Sequence, residues 1–429
     1  MPRSAAHATL CVPARVAQLD RASVFGTDGW GFESLRARLS PPPIHADAAG
    51  ARRACIAAVE EALRATPDRD LARAVERLSD LYTTGRGALA AEQADAAHLA
   101  AKCEYFLASD APKVGLALDE CAARHPAFRR LGAARALRVV DLGAGVGATS
   151  VGFLAWLHGA CAAANTAPPA VELVAIELGA PAARAYERAV RAAAAHAGVE
   201  LSLRVECRDF RSAAVPDCDL ALCQTAINEL LVGERHSSAT IDLVAGWAAR
   251  APLVVIEPAL RVTTRALMAL RDAVIARGAA HPVAPCLHAA PCPMLAREGD
   301  WCHEARRIEP TPRVAAIDAI VGRRDERALF AFLATAPGAA APRSEAAARF
   351  VRLVTDPLGS RGKTERLVCR DDGALRLMRL LDREVRPENR GFLDLERGGI
   401  VSIVPIPDND RIGPEVRVRE TADASEPTP

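Results

Sequence analysis

Hydrophobic residues recur at three- and four-residue spacing through the first third of the chain, from about residue 46 to residue 135. This spacing places apolar side chains on one face of a helix, and that face then packs into a core. Pro112 is a suitable residue to begin a further helix within the region. The pattern therefore predicts a helical domain over residues 45–134, whose apolar stripes belong to the core rather than to a functional site.

Short apolar runs then alternate with Ala-rich helical stretches. The runs predict strands over residues 137–142, 172–177, 202–206, 220–223 and 253–257. Alternation of strands and helices is typical of a parallel, doubly wound sheet. A helix over 265–277 and a last, antiparallel strand over 328–336 complete the predicted order. We therefore predict an α/β fold, with a Rossmann-like domain over residues 135–341.

The pattern changes again after a Pro/Ala/Gly stretch at residues 336–342 that is typical of a linker. Alternating segments, separated by the turn signals Asp371-Asp372-Gly373 and Gly398-Gly399, predict strands over residues 350–354, 365–369, 374–380 and 400–404. We expect a small β-rich domain over residues 342–412. A disordered tail is expected over residues 413–429.

Residues 1–44 do not match the rest of the chain. The stretches 15–23 and 32–36 resemble the peptide obtained when a tRNA gene is conceptually translated. We expect a spurious or disordered N-terminal extension that results from a start codon assigned too early, with a genuine polar arm as the alternative. This segment takes no part in the fold prediction.

Charge and cysteine content exclude several classes of protein. Lys and Arg number 54 against 53 Asp and Glu, so net charge predicts neither a nucleic-acid nor a membrane partner. Only three of the basic residues are lysines, a bias that we attribute first to genome composition. Twelve cysteines are too dilute for a disulfide scaffold, and no apolar run reaches the ~18 residues of a membrane span. We expect a monomeric cytoplasmic protein with reduced thiols and no membrane partner.

A glycine loop, Asp-Leu-Gly-Ala-Gly-Val-Gly over residues 141–147, follows the first predicted strand. Its glycines let the backbone approach a ligand, and the helix that follows offers free N–H groups. Glu177 ends the next strand, where an acid can accept from ribose hydroxyls, and Asp209 with Phe210 follows the third strand, where they suit an adenine. The loop resembles the first motif of class I S-adenosylmethionine-dependent methyltransferases, with NAD binding or a ligandless relic as alternatives. The predicted cofactor contacts are Asp141, Gly143, Gly145, Gly147, Glu177, Asp209 and Phe210.

The end of the fourth predicted strand carries no recognisable catalytic motif. Neither Asn-Pro-Pro-Tyr nor Asp-Pro-Pro-Tyr follows it, and the corresponding stretch is residues 223–229. Asn228 or Glu229 could orient a substrate, with helix capping as the alternative. Cys223 could act as a nucleophile or be a buried small hydrophobe. The catalytic residue is therefore unknown.

Three cysteines lie in a Pro-rich stretch over residues 285–303 that shows no helical or strand periodicity. They are Cys286, Cys292 and Cys302. The stretch has little apolar content to fix it, so a metal is a sensible way of ordering it. The spacing lacks the paired knuckle of a structural zinc site. A Cys3His zinc site with His288 or His303, an iron–sulfur cluster with Cys369 as fourth ligand, and unligated cysteines all remain open on spacing alone.

Several motifs together resemble one family. Four motifs resemble those of the mitochondrial small-ribosomal-subunit methyltransferase-like family, which includes methyltransferase-like protein 17 and bacterial relatives. They are the glycine loop, Ile256-Glu257-Pro258, the pattern Cys-x-His-x3-Cys-Pro and Asp300-Trp301-Cys302-His303. The resemblance runs from about residue 78 to residue 404. The chain departs from the family at Ala259, where members commonly have glycine, and at residues 389–392.

The resemblance implies a class I methyltransferase sheet with an N-terminal helical domain and a small C-terminal β domain. It also implies S-adenosylmethionine as a cofactor and action on the ribosomal small subunit and its rRNA, in assembly or in rRNA methylation. A 4Fe–4S cluster is implied on four cysteines, which by position are Cys286, Cys292, Cys302 and Cys369.

A local surplus of positive charge bears on the partner. Between Arg343 and Arg390 there are twelve basic and eight acidic residues. This surplus on a small β domain could contact RNA phosphates, with an ordinary solvated face as the alternative. Two other functions stay open: a non-catalytic assembly factor of the same fold, and a zinc-containing methyltransferase for a small molecule or protein.

Overall fold

The computed structural model describes residues 44–83, 95–212, 215–231, 237–323, 326–338 and 350–420. The N-terminal extension predicted over residues 1–44 lies outside these ranges except for Ile44, which begins the first helix. Most of the predicted linker and the last nine residues also lie outside them.

Helices make up the N-terminal region, as the hydrophobic spacing predicts. They are α1 (Ile44–Leu63), α2 (Asp68–Thr83), α3 (Ala96–Ala101), a π-helical turn (Lys102–Phe106), α4 (Leu107–Arg124) and α5 (Pro126–Arg129). Their buried side chains form one continuous apolar cluster with residues of the sheet that follows. The helical region therefore shares its core with the next part of the chain.

The central sheet has eight strands. They are β1 (Ala136–Leu142), β2 (Ala170–Glu177), β3 (Leu201–Cys207), β4 (Leu220–Gln224), β5 (Leu253–Pro258), β6 (Ala280–Ala284), β7 (Glu304–Arg307) and β8 (Arg327–Pro337). The strand order is β3-β2-β1-β4-β5-β8-β6, with β7 also paired to β8. Strands β1 to β5 are parallel, and β8 runs antiparallel to β5 and β6.

The helices that connect these strands are α6 (Ala148–Ala164), α7 (Ala180–Ala197), α8 (Asn228–Leu231), α9 (Ser238–Arg250), α10 (Arg261–Ala276) and α11 (Pro312–Val321). The order and the antiparallel strand confirm the predicted Rossmann-like class I methyltransferase sheet. None of the helices in the described ranges combines the length and apolarity needed to cross a bilayer.

Two strands of this sheet are absent from the prediction. Strand β6 contains Pro282, and its register with β8 shifts between Pro282 and Ala284. Proline is tolerated at a sheet edge because no neighbouring strand needs its missing N–H. Strand β7 has only four residues and no apolar alternation. Both strands pair with β8, which is long enough to organise them.

The C-terminal region is a second sheet of seven strands. They are β9 (Phe350–Leu353), β10 (Leu358–Ser360), β11 (Lys363–Arg370), β12 (Leu375–Leu381), β13 (Ile400–Val404), β14 (Arg411–Ile412) and β15 (Arg417–Glu420), with a short helix α12 (Gly391–Asp394) before β13. Their order is β14-β12-β11-β9-β13-β15, with β10 paired to β11. The predicted C-terminal β region is confirmed.

The prediction of disorder from residue 413 is wrong for residues up to 420. Strand β15 pairs antiparallel with β13, and Val416 and Val418 are buried in the core of the second sheet. Only these two apolar residues alternate with charged ones, which is too short a pattern to identify a strand from sequence.

Candidate functional site

The glycine loop lies between β1 and α6, at the carboxyl edge of the parallel strands. Gly143, Gly145 and Gly147 have φ angles of 69°, 54° and 106°, a left-handed conformation that glycine adopts without strain. A Cβ on Gly143 would lie 2.5 Å from the Cβ of Ala226. The loop is therefore packed directly against the residues that follow β4.

Glu177 ties the loop to the end of β2. Its carboxylate accepts hydrogen bonds from the backbone N–H of Gly145 at 2.8 Å and of Gly179 at 2.7 Å. A carboxylate offers about four lone-pair positions, so two remain for a ligand. The structure thus brings Glu177 to the glycine loop, as predicted from its place at the end of a strand.

Asp209 and Phe210 differ in how they relate to the loop. The ring of Phe210 lies against Gly143 and makes an edge contact with Trp247, with ring centroids 5.9 Å apart. Asp209 instead accepts from the backbone N–H of Arg211 at 2.9 Å and from its guanidinium, and these bonds hold the pKa of its carboxyl below the usual range. Phe210 is therefore at the loop, whereas Asp209 is engaged with its own turn.

Asp141 is fully buried rather than exposed at the loop surface. One carboxylate oxygen accepts from the hydroxyl of Ser150 at 2.6 Å, and the other has no hydrogen-bond partner. Burial raises the pKa of this carboxyl to about 7, the nearby charge of Glu177 adds to the rise, and the Ser150 hydrogen bond opposes it. Ser150 also contacts the Tyr186 hydroxyl at 2.6 Å. Asp141 supports the loop from inside the core.

The residues after β4 have mostly structural contacts. Cys223 is fully buried, and burial raises the pKa of its thiol well above the ordinary value. Asn228 donates from its backbone and side chain to buried Glu257, at 3.1 and 2.7 Å. Burial also raises the pKa of Glu257, to about 8. Neither Cys223 nor Asn228 is placed as a reacting group.

Two further residues at this edge are absent from the prediction. Thr225 has a φ of 57°, a rare conformation for a β-branched residue and one that occurs at functional sites. Lys102 begins the π-helical turn, another feature found at functional sites. Burial lowers the pKa of Lys102, and the charges of Glu229 and Glu177 oppose that effect. Its being one of only three lysines was the available sequence signal.

All four predicted metal-ligand cysteines line one cavity of about 50 Å³, which we call the thiol cavity. They are Cys286, Cys292, Cys302 and Cys369. Its other walls include Met268, Phe332 and Val354. Within the described ranges, no group of three or more His, Cys, Asp or Glu side chains is arranged to hold a metal ion.

When no metal is bound, burial in the thiol cavity favours the uncharged form of its thiols over the thiolate. Burial raises the pKa of Cys292 to about 12 and raises the pKa values of Cys302 and Cys369 as well. Arg271 and Arg352 also line the cavity. A bound metal deprotonates the thiols that ligate it, and the two guanidinium groups would then face the thiolates.

The two histidines considered as ligands differ in position. His288 lines the thiol cavity, with Nε2 at 3.4 Å from the Cys369 sulfur and Nδ1 at 3.1 Å from the Ala290 carbonyl oxygen. His303 stacks on Trp301 and contacts the guanidinium of Arg397 at 3.2 Å. Only His288 of this pair lies beside the thiols.

A buried ion network lies next to the thiol cavity. It consists of Glu120 and Arg124 from α4, Glu304 and Arg306 from β7, and Arg352 from β9. Arg352 contacts Glu120 at 2.7 and 3.0 Å and Glu304 at 2.7 Å. Despite burial, Arg352 and its neighbours hold the pKa of Glu120 down to about 2.

Comparison with known proteins identifies one family. The family model of the mitochondrial small ribosomal subunit protein Rsm22 matches residues 105–383, which is more than half of the chain. No match was found among curated proteins.

Solved structures share parts of the fold. A Listeria monocytogenes protein assigned to the class I S-adenosylmethionine-dependent methyltransferases aligns over 49% of this chain and 57% of its own, with 10% identity and a TM-score of 0.29. An O-methyltransferase from Thermotoga maritima aligns over 50% and 64%, with 12% identity and a TM-score of 0.27. TrmN from Thermus thermophilus aligns over 53% and 48%, with 17% identity and a TM-score of 0.25. The chain spans less than two thirds of each of these proteins, and the likenesses carry no conclusion about activity.

The buried Asp141 generates a prediction about pH. Because its pKa rises from 3.8 to about 7 on folding, the folded state keeps a proton that the unfolded chain releases between these values. The free energy of unfolding therefore falls as pH rises from about 4 to about 7, by up to about 1.4 kcal/mol per pH unit. We expect Asp141→Asn to flatten this dependence, measured by urea unfolding across that interval.

The exposed Asp242 provides the matched control. Asp242→Asn should keep the slope of the parent protein. An unchanged slope in Asp141→Asn would contradict the assignment of a buried, neutral Asp141.

Proposed function

Because the chain belongs to the mitochondrial small ribosomal subunit Rsm22 family, we propose that it is a methyltransferase-like protein that binds S-adenosylmethionine and acts on the ribosomal small subunit. We propose further that it contains a 4Fe–4S cluster on Cys286, Cys292, Cys302 and Cys369. The observation that carries the cluster proposal is that Cys369, from a distant part of the sequence, lines the same cavity as Cys286, Cys292 and Cys302.

S-adenosylmethionine fits the glycine loop by the chemistry of the groups around it. Gly143, Gly145 and Gly147 leave the backbone open to a ligand, and Glu177 retains acceptor positions for ribose hydroxyls. Phe210 offers an apolar ring at the same loop. When bound, this cofactor supplies an activated methyl group, while the residues of this chain hold it and orient it.

We infer an iron–sulfur cluster rather than a single zinc ion from the way that the two kinds of site arrange their thiolates. A four-iron cluster carries each thiolate on a separate iron, so its ligands surround a volume, whereas zinc draws four donors to one point. The four cysteines line one cavity of about 50 Å³, which supports the cluster. Apolar walls and two adjacent arginines are suitable surroundings for a negatively charged cluster that is shielded from water.

RNA contact is supported by exposed arginines on the second sheet. Arg379, Arg383, Arg386 and Arg390 are exposed on and after β12. Two of the basic residues that contributed to the predicted surplus, Arg352 and Arg366, are instead buried. Arg343 and Arg349 lie outside the described residues. The proposed RNA surface is therefore smaller than the sequence count suggests.

A non-catalytic assembly factor is the second candidate. It is favoured by the end of β4, where Cys223 is buried and Asn228 is bonded to Glu257. Both candidates use the same fold, the same cluster and the same partner. Methyl transfer to purified small subunits distinguishes them. The cytoplasmic location and the monomeric state stay predictions.

The cluster is tested by Cys369→Ser in protein purified without oxygen. The parent protein should be brown, with broad visible absorbance and about four irons per chain, and the variant should lose both because one ligand is removed. Cys207→Ser is the control, since Cys207 is exposed and lies outside the cavity. Colourless parent protein with about one zinc per chain would contradict the cluster.

Cofactor binding is tested by Glu177→Gln and calorimetry with S-adenosylhomocysteine. The amide keeps one acceptor oxygen but cannot accept from the ribose with its nitrogen, so we expect binding about tenfold weaker, or about 1.4 kcal/mol. Glu172→Gln is the control, because Glu172 lies on the same strand, where it pairs with Arg138 away from the loop. Absence of binding by the parent protein would refute the cofactor proposal.

RNA binding is tested by Arg379→Glu and Arg383→Glu, with small-subunit RNA titrated at several salt concentrations. Each lost phosphate contact should weaken binding and lower the slope of log affinity against log salt by about one. Arg191→Glu on α7 serves as the control because Arg191 is exposed elsewhere. If Arg379→Glu and Arg383→Glu kept the affinity and the salt slope of the parent protein, the second sheet would not be part of the RNA surface.

A further inference from the structure

The segment between β6 and β7, residues 285–303, carries three of the four cavity thiols but little regular structure. Its one helical element is a 3-10 turn over Pro293–Ala296. Backbone carbonyl groups along this segment nevertheless have hydrogen-bond donors, and most of those donors are arginine side chains from other elements. We call it the cysteine segment.

Arg265 of α10 donates hydrogen bonds to the part of the cysteine segment that lies between Cys292 and Cys302. Its guanidinium donates to the carbonyl oxygens of Asp300 at 2.6 Å and of Arg297 at 2.7 Å. It also donates to those of Met294 and Leu295, each at 3.3 Å. One planar group thus contacts four backbone carbonyls of this turn.

Arg271, one and a half turns further along α10, holds the first half of the segment. Its guanidinium donates to the carbonyl oxygens of Ala290, at 2.6 Å, and of His288. Arg271 is buried. The adjacent Asp272 accepts from the backbone N–H of Cys292 at 2.8 Å. Residues 288–292 are therefore fixed to a single helix.

The start of the cysteine segment is held from outside the central sheet. Arg124 of α4 donates to the carbonyl oxygen of Cys286 at 2.7 Å and to that of Pro285 at 3.3 Å. Arg352 of β9 donates to the Pro285 carbonyl at 3.1 Å. Hydrogen bonds from charged donors are stronger than neutral ones, and these donors are buried.

We propose that Arg124, Arg265, Arg271 and Arg352 are positioning residues that keep the thiol cavity formed before a metal is bound. The identity of the group that fills the cavity rests on the proposed cluster. The ordering of the cysteine segment by these arginines does not depend on it. Small metal-dependent domains fold only when their metal is present. Here the metal would enter a preformed cavity, and the new link that it adds between parts of the molecule runs through Cys369 of β11.

The test is hydrogen exchange, measured by mass spectrometry on the full chain with its iron and after removal of iron by a chelator. The reporters are the hydrogen-bonded amides of Cys292, Leu295 and Asp300. In iron-free parent protein we expect these amides to exchange within about threefold of the loaded rate, because the arginines remain. In iron-free Arg265→Met we expect exchange at least about tenfold faster.

Arg277→Met is the matched control, since Arg277 follows the same helix but pairs with Asp242 at 2.7 Å. It should leave the reporters unchanged. Exchange at the rate of an unstructured peptide in iron-free parent protein would overturn the proposal, as would identical exchange in iron-free Arg265→Met and parent. If Arg265→Met does not fold, the comparison of loaded and iron-free parent protein decides alone.

Failure of this inference is separable from failure of the cluster proposal. Iron analysis of the same samples reports whether a cluster is present. If the purified chain contains no iron, exchange in that chain still tests whether the arginines order the segment.

Discussion

The arrangement of the molecule depends on a guanidinium group that is buried where its three parts meet. Arg352 of the second sheet pairs with Glu120 of the helical region and with Glu304 of β7. Removing one partner from such a buried pair costs about 3–5 kcal/mol, because the other charge is left uncompensated away from water. If the helices or the second sheet moved away from the central sheet, Arg352 or one of its two glutamate partners would therefore lose its opposite charge.

The thiol cavity depends on the same group. Arg352 lines the cavity and also donates to the Pro285 carbonyl at its entrance. The buried ion network contains three arginines and two glutamates, so it carries net positive charge beside the four thiols. Charges interact strongly in a poorly solvated interior, so this surplus opposes the effect of burial, which nevertheless keeps the pKa values of Cys302 and Cys369 raised. The network thus links the docking of the three parts to the chemistry that the cavity can support.

Periodicity and glycine spacing were sufficient to predict the central fold and the glycine loop after its first strand, because both are local properties of the sequence. The predicted strands 137–142 and 253–257 lie within β1 and β5, and Glu177 ends β2 as predicted, beside the glycine loop. What such patterns do not give is the hydrogen-bond partner that a polar residue takes in the fold. Asp209 is engaged by Arg211, and Asp141 is buried against Ser150. Edge strand β6, with its proline, was missed for a related reason: pairing with β8, not its own sequence, makes it a strand.

The abundance of arginine has a structural use that composition alone does not reveal. A guanidinium presents five N–H donors in a fixed plane, whereas a lysine ammonium is a compact group on a flexible stem. Arg265 gathers four carbonyls, and buried Arg366 donates to those of Thr355, Phe392 and Leu395. A lysine carries its three donors on one atom and could not span the same set of carbonyls. The geometry of these contacts explains why replacing either arginine would leave several backbone carbonyls without their donor.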